Sequence, residues 1–247
     1  MTFRDVTVSY KRAPAIWGID CDIPAGSFVG IVGPNGSGKS TLLKACVGLL
    51  PLSSGEIRYF NGEELSNVRK RIAYLPQRES IDWDFPINVL NVVLMGTYPR
   101  LGFFRKPSRE DKRLAELCLD KVGMLEFKTR QISELSGGQQ QRVFLARALA
   151  QQAELYLLDE PFSAVDAKTE AKIIEVINDL KKQGKSIVVV HHDLFSVVQN
   201  TDKVLLLNTR LVHFGDTQEC MQRKYLEECY GGQLESFANV LFETSRR

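Results

Sequence analysis

Two patterns of hydrophobic and polar positions divide the chain into predicted strands and helices. Residues 2–10 (TFRDVTVSY) alternate apolar and polar side chains, as an edge or half-exposed strand does. Four short segments each contain a continuous apolar run, which predicts strands buried in a parallel sheet, and they lie at 27–33, 71–77, 153–161 and 186–193. SSGEIRYFNGEEL predicts a turn, a strand and a second turn, and VLLLN with LVHFGD predicts a final β pair.

Between these strands the apolar residues recur at helical spacing. STLLKACVGLL predicts a helix that ends at Pro51, and another helix is predicted at about 168–183. From 78 to 135 prolines interrupt the helical spacing, so this stretch, about 80–135, predicts a mostly helical insertion between parallel strands. The alternation of strands and helices predicts one α/β domain over 1–247, closed by a short helical tail at about 221–247.

The composition is ordinary for a soluble globular protein, with 44% hydrophobic and 25% charged residues among 247. A net charge of +2 provides no surface suited to nucleic acid, so no nucleic-acid partner is expected. The five cysteines are widely spaced and form no CxxC, which predicts reduced thiols in a cytosolic protein. Neither a signal peptide nor an apolar run long enough for a membrane span is found, so the chain is expected to remain inside the cell without crossing the membrane.

The segment GPNGSGKST at 33–41 fits the phosphate-binding pattern GxxxxGK[ST], directly after a predicted strand and at the start of a predicted helix. This context distinguishes it from a chance glycine turn. The glycines let backbone N–H groups surround a phosphate, Lys39 reaches the β- and γ-phosphate oxygens, and Ser40 can bind Mg²⁺. The predicted ATP-binding residues of this loop are Gly33, Pro34, Asn35, Gly36, Ser37, Gly38, Lys39, Ser40 and Thr41.

The segment LYLLDEP ends a predicted buried strand with two carboxylates. Asp159 would hold the shell of Mg²⁺, and Glu160 would lie where an attacking water could lie. Because strands often end in acidic turns, the motif is weak by itself. Downstream of a phosphate loop it indicates a nucleotide-hydrolysing site.

A second anion cradle is predicted at 134–142, ELSGGQQQR, where a serine and two glycines precede helix-forming residues. One nucleotide does not need two cradles, so this segment requires a separate explanation.

The segment HHD at 191–193 follows a predicted strand. Adjacent strand residues point to opposite faces, which makes the two histidines a poor zinc pair and favours one histidine close to the γ-phosphate. His213 is interpreted as a structural residue. Cys220 and Cys229 are only weak evidence for a metal-sensing tail.

Aromatic residues of the insertion allow two interpretations, core filler or the lining of a groove for a partner helix. They are Trp83, Phe85, Tyr98, Phe103 and Phe104. Tyr10 is also ambiguous, since a tyrosine at the end of a strand can be a plain strand residue or can stack on adenine.

In this order the motifs resemble the nucleotide-binding subunits of ABC transporters across about residues 2–220. Tyr10 falls at the adenine-stacking position, GPNGSGKST is similar to Walker A and Gln77 to the Q-loop glutamine. LSGGQ matches the family signature, LYLLDE matches Walker B, SAVD matches the D-loop and His192 matches the switch histidine. Walker A alone occurs in many NTPases, whereas the signature shortly before Walker B is specific to this family. SAVD departs slightly from the commoner SALD.

The resemblance implies a P-loop NTPase core with a mostly parallel sheet, an N-terminal antiparallel β subdomain and a helical insertion subdomain. It also implies two copies packed head to tail, so that the second cradle covers the ATP of the neighbouring copy. Glu160 and His192 would then be catalytic, together with Gln77, and Mg²⁺ would bind through Ser40, Gln77 and Asp159. The residues expected to act in trans are Ser136, Gly137, Gly138, Gln139 and Asp166.

A narrower resemblance lies in residues 76–112, which look like ATPase subunits of manganese, zinc and iron importers. It implies an integral membrane permease as partner, an extracytoplasmic metal-binding protein as indirect partner, and a peripheral position on the cytoplasmic face of the plasma membrane. Two alternatives remain at this point. One is a soluble ABC ATPase of iron–sulfur cluster assembly, and the other, disfavoured by the near-neutral charge, is an ABC protein of DNA repair or translation.

Overall fold

The computed structural model describes residues 1–10, 13–77, 83, 85–101, 105–163 and 165–231. The chain forms two compact units. The first consists of Met1–Val68 with Val188–Arg247, and the second consists of Arg69–Ile187. The domain and insertion boundaries inferred from the sequence stay predictions.

The first unit contains a three-stranded antiparallel sheet. Its central strand β1 (Thr2–Tyr10) lies between β2 (Ala13–Asp22) and β4 (Ser54–Arg58). One face of this sheet is buried, and it carries the side chains of Phe3 and Val6 from β1 and Ile16 from β2. The alternation in residues 2–10 therefore comes from a strand with one buried face, as predicted.

The same unit holds part of a mostly parallel sheet. Strand β3 (Phe28–Val32) pairs in parallel with β8 (Lys203–Asn208), and β9 (Arg210–Asp216) pairs antiparallel with β8. Strand β7 (Ser186–Val190), which crosses the boundary between the units, follows β3 on its other side. All five residues of β3 are buried, as expected for a central strand.

The helix after the phosphate loop ends earlier than predicted. Helix α1 spans Lys39–Cys46, whereas the sequence pattern predicted a helix that continues to Pro51. Gly48 takes a left-handed φ of 73°, and the N–H of Leu49 donates to the carbonyl of Lys44. Glycine in this conformation closes a helix with a C-terminal capping turn, so Gly48 and not Pro51 ends α1.

The first unit also contains the short helix α2 (Leu65–Val68). Three further short helices pack against β3 or β8, and they are α8 (Leu194–Asn200), α9 (Thr217–Cys220) and α10 (Arg223–Tyr230). Helices α8 to α10 share a buried cluster with β3 and β8, formed by Val32, Leu194, Val197, Val204, Leu206, Cys220, Leu226 and Cys229. The rest of the predicted tail, 232–247, lies outside the described residues.

The second unit combines two parallel strands with five α-helices in its described residues. Strand β5 (Ile72–Leu75) pairs with β6 (Leu155–Asp159), and β7 begins beside β6. The helices are α3 (Val89–Leu94), α4 (Tyr98–Leu101), α5 (Arg109–Lys121), α6 (Gly137–Ala150) and α7 (Ala167–Lys182). Helices α3, α5 and α6 contact one another, and the predicted α/β class with a mostly parallel sheet is confirmed.

Candidate functional site

The phosphate loop of the first unit folds around the side chain of Lys39. The Lys39 Nζ donates to the carbonyl oxygens of Gly33 and Pro34, both at 2.8 Å. The lysine is 5% exposed, so its charge is held at the loop by backbone dipoles. A buried ammonium group at the start of a helix is suited to the oxygens of a phosphate.

Helix α1 begins directly at this loop. Gly38, at its N-cap, has a φ of 99° and carries no side chain that could cap the first turn. A Cβ at Gly38 would lie 2.4 Å from Cγ2 of Ile16. No side chain at the N-cap therefore competes with an anion for the start of α1, and the loop residues fit a nucleotide phosphate.

Tyr10 lies at the end of β1, as predicted, with half of its surface exposed. Its hydroxyl is 3.5 Å from the hydroxyl of Thr41 in helix α1. An exposed ring tethered to the phosphate-loop helix can stack on a planar base.

The two carboxylates lie in the second unit at the end of β6. Asp159 is completely buried, and Glu160 is half-buried. The side-chain amide of Gln77 donates to Oε1 of Glu160 at 3.3 Å. The structure therefore brings Gln77 and Glu160 together, two of the three predicted catalytic residues.

The predicted signature lies at an exposed helix N-terminus. Ser136 is the N-cap of α6, and its hydroxyl accepts the N–H of Gln139 at 3.4 Å. In return, the side-chain oxygen of Gln139 accepts the N–H of Ser136 at 2.9 Å. Gly137 and Gly138 add no bulk to the first turn, so the backbone dipole of α6 faces outward and can receive an anion.

Asp166, of the predicted D-loop, is the N-cap of α7. Its carboxylate accepts the backbone N–H of Thr169 at 2.9 Å and the Thr169 hydroxyl at 3.1 Å. These hydrogen bonds hold the pKa of Asp166 below its ordinary value. Asp166 is therefore an exposed anion with a fixed orientation.

The histidine segment is shaped by a turn between β7 and α8. The N–H of Asp193 donates to Nδ1 of His191 at 3.0 Å, and the Asp193 carboxylate caps α8 at the N–H of Phe195. His191 is half-buried, whereas His192 is exposed. Of the two histidines, His192 has the more accessible ring.

The aromatic residues of the insertion divide between the two interpretations. Trp83 packs edge-on against Phe144 of α6, with ring centroids 4.9 Å apart, as a core residue would. Phe85 and Tyr98 are 60% and 50% exposed. Phe103 and Phe104 lie outside the described residues.

All five cysteines are buried, free thiols. Burial raises the pKa of Cys220 to about 11 and that of Cys229 to about 12. Within the described part of the chain, no group of three or more His, Cys, Asp or Glu residues is arranged to hold a metal ion. The structure therefore gives no further support to the hypothesis of a metal-sensing tail.

Sequence reasoning missed the contact between Gln141 and Glu160. The side-chain amide of Gln141, one turn into α6, donates to the backbone carbonyl of Glu160 at 3.2 Å. Gln141 is completely buried although glutamine is usually a surface residue. Helical periodicity gave the only available signal, because it places Gln141 on the face of Gly137.

The fold and these motifs define an ATP-binding cassette, and comparison with known proteins agrees. A family model described as "ABC transporter" matches residues 16–163, more than half of the chain, and the chain belongs to this family. As a member, it is an ATPase whose hydrolysis is coupled to transport. None of the helices in the described ranges is both long and apolar enough to cross a membrane.

Individual relatives cover almost the entire chain. It is 52% identical to the zinc transport system ATP-binding protein TroB of Treponema pallidum, over 94% of this chain and 87% of that protein. It is 49% identical to the manganese transport system ATP-binding protein MntB of Bacillus subtilis, over 93% of this chain and 92% of that protein. A dimeric structure of the ATP-binding cassette MJ0796, in a post-hydrolysis state with ADP and Pi, matches with a TM-score of 0.76 at 30% identity, covering 87% of this chain and 98% of that one.

Proposed function

We propose that this chain is the ATP-hydrolysing subunit of a membrane permease that imports zinc or manganese. The observation that carries the proposal is the similarity to the TroB and MntB proteins, which extends over 94% and 93% of this chain. Their names include zinc and manganese but not iron, so iron is the weakest of the three predicted cargoes. The ATPase does not contact the cargo, and the permease selects the metal.

The nucleotide is assigned to the phosphate loop and its surroundings. Lys39 and the first turn of α1 would hold the phosphates, because the lysine charge and the positive end of the helix dipole lie at the same loop. Tyr10 would stack on the adenine, since its ring is half-exposed next to Thr41.

Mg²⁺ is the expected companion of ATP, and three oxygen donors are assigned to it. They are the hydroxyl of Ser40, the side-chain carbonyl of Gln77 and the carboxylate of Asp159. Hard oxygen donors of this kind suit Mg²⁺, and a completely buried carboxylate such as Asp159 suits a cation that compensates its charge. When bound, the ion neutralises charge on the phosphate oxygens.

Hydrolysis is assigned to Glu160, with Gln77 and His192. The carboxylate of Glu160 would orient the attacking water or accept its proton, a role that needs a fixed carboxylate. The hydrogen bond from Gln77, at 3.3 Å, fixes this carboxylate. His192 would contact the γ-phosphate with its exposed ring.

One chain has two anion cradles because, in a pair of copies, the signature of each copy would bind the ATP of the other. The N-terminus of α6, with Ser136, Gly137, Gly138 and Gln139, would cover the ATP of a partner copy. Asp166 would communicate across the same interface. The exposed start of α6 favours this role. Its capping box satisfies the backbone N–H groups of Ser136 and Gln139 while no anion is bound.

The permease would bind the helical insertion on the cytoplasmic side of the membrane. Exposed apolar side chains in this region suit a helix of the permease, and they are Phe85, Met95, Tyr98 and Leu117. A metal-binding protein outside the membrane would deliver the cargo to the permease. The competing assembly-factor hypothesis is weaker, because the relatives described above are named as parts of transport systems.

The experiment measures cellular zinc, manganese and iron by mass spectrometry in metal-limited cells whose chromosomal copy carries Lys39→Ala. The expected result is loss of zinc or manganese, restored by the wild-type chain. Lys182→Ala, which removes a lysine 77% exposed on α7, is the matched control and should leave all three metals unchanged. Unchanged zinc and manganese in the Lys39→Ala cells would overturn the importer assignment.

A further inference from the structure

Glu160 has a backbone conformation that is unfavourable for a residue with a side chain. Its φ is 52°, in the left-handed region, directly after the last residue of β6. Such a conformation is energetically unfavourable and persists only where neighbouring groups hold it. The position of the Glu160 carboxylate depends on this backbone, so the groups that hold the backbone also determine where the carboxylate lies.

Two donors hold the carbonyl oxygen of Glu160. The backbone N–H of Ser163 closes a turn onto it at 3.2 Å. The side-chain amide of Gln141 donates to the same oxygen, also at 3.2 Å. The first bond is local to the turn, whereas the second joins Glu160 to helix α6.

The amide of Gln141 is retained at an energetic cost. Gln141 is 0% exposed, and its Oε1 has no hydrogen-bond partner among the residues that the structure describes. A buried acceptor without a partner is destabilising, and an apolar residue of similar size would avoid that cost. The bond from Nε2 to Glu160 is the one interaction in the described structure that explains an amide here.

Helix α6 links this contact to the signature. Gln141 lies four positions after Gly137, so both residues are on one face of α6, one turn apart. A shift of the helix N-terminus would therefore move the amide that holds Glu160. The contact lies entirely within the second unit and needs no partner chain.

We propose that Gln141 is a positioning residue that fixes the backbone of Glu160 and couples it to the signature helix of the same chain. The inference rests on the proposed roles of Glu160 and the signature. A partner that binds the N-terminus of α6 would, through Gln141, also determine the orientation of the catalytic carboxylate in the chain that carries that helix. Each signature would then act on two sites, the ATP of the partner and the carboxylate of its own chain.

Gln141→Leu tests this assignment, because leucine keeps the volume of the site and removes the amide. Its matched control is Gln140→Leu, since Gln140 is also buried in α6 and its amide donates to a different backbone carbonyl, that of Ile132, at 3.1 Å. The full-length chain is assayed for ATP hydrolysis, for binding of a fluorescent ATP analogue and for thermal unfolding.

The expected result is a loss of kcat of at least about tenfold in Gln141→Leu, with analogue affinity within about threefold of wild type. Gln140→Leu should show a comparable or larger loss of thermal stability and keep most of its kcat. A Gln141→Leu chain with wild-type kcat, or an equal loss of kcat in both variants, would overturn the positioning role. Failure of the proposed function is distinguishable, because the wild-type chain itself would then not hydrolyse ATP.

Discussion

Gly33 lies against the carbonyl oxygen of Leu207, and the contact leaves no room for a side chain. A Cβ built at Gly33 would be 1.9 Å from that oxygen and 2.9 Å from Oγ of Ser37. The backbone of β8 therefore shapes the first residue of the phosphate loop, because the two strands run in parallel register up to Val32 and Leu206.

Gly33→Ala should consequently distort the phosphate loop. We expect a decrease of about 1–3 kcal/mol in the free energy of unfolding, as for other overpacked sites, and a loss of ATP affinity of at least about tenfold. Urea unfolding and titration with a fluorescent ATP analogue measure the two effects. Gly184→Ala is the control for backbone strain alone, since Gly184 also has a positive φ, of 77°, but a Cβ there meets no atom within 4 Å. Retained ATP affinity in Gly33→Ala would contradict the prediction.

Glu160→Gln should abolish turnover while ATP binding persists. The substitution keeps the size of the side chain and an oxygen that can accept the amide of Gln77, but it removes the carboxylate. We expect kcat to fall by about 10²–10⁴, the usual contribution of a general base. On size-exclusion chromatography the variant should elute as a dimer with ATP and Mg²⁺ and as a monomer without nucleotide. Elution as a monomer under both conditions would count against the proposed dimer.

Ser136→Arg should block hydrolysis and spare ATP binding by the same chain. Arginine removes the N-cap of α6 and places a bulky side chain at the signature, while the phosphate loop lies in the other unit. Turnover is measured at saturating ATP, and binding is measured by equilibrium dialysis.

Ser108→Arg provides the control for this substitution. Ser108 also caps a helix with a capping box, at the start of α5, so its loss has a similar cost of about 1 kcal/mol. This control should retain turnover. If the Ser136→Arg chain itself fails to bind ATP, the assignment of the signature to the partner's nucleotide is wrong.

The native thiols should react slowly with Ellman's reagent at pH 8. Burial raises the pKa of Cys21 and Cys229 to about 12 and that of Cys118 and Cys220 to about 11, and it also raises the pKa of Cys46. The thiols stay protonated at pH 8, and the thiolate is the reactive form. In guanidinium chloride all five cysteines should react at once. Rapid labelling of Cys220 or Cys229 in the native protein would contradict this prediction and would favour the hypothesis of a metal-sensing tail.

The strands with simple patterns could be predicted from the sequence, but β2 (Ala13–Asp22) was missed. Its buried residues Ile16 and Ile19 are three positions apart, because Gly18 takes a φ of 59° and the pairing with β1 shifts register nearby. This irregularity breaks the period of two on which strand prediction rests.

The phosphate loop, the carboxylates and the signature could be located because each motif is contiguous in sequence. The contact between Gln141 and Glu160 could not, since it depends on a left-handed backbone at a glutamate and on two segments nineteen positions apart. Residue types alone indicate neither feature. The end of α1 at Gly48 was not predicted either, because the left-handed backbone of Gly48 is not visible in the sequence and Pro51 is the stronger helix-ending signal.

The pairing of β3 with β8 has a consequence for the chain during its synthesis. Phe28 donates its N–H to the carboxylate of Asp202, 174 positions later, and Leu207 against Gly33 is translated later still. A nascent chain thus carries the complete phosphate-loop sequence long before the backbone that shapes it exists. Prematurely terminated chains should therefore be unable to bind nucleotide. They would not compete with the full-length protein for ATP.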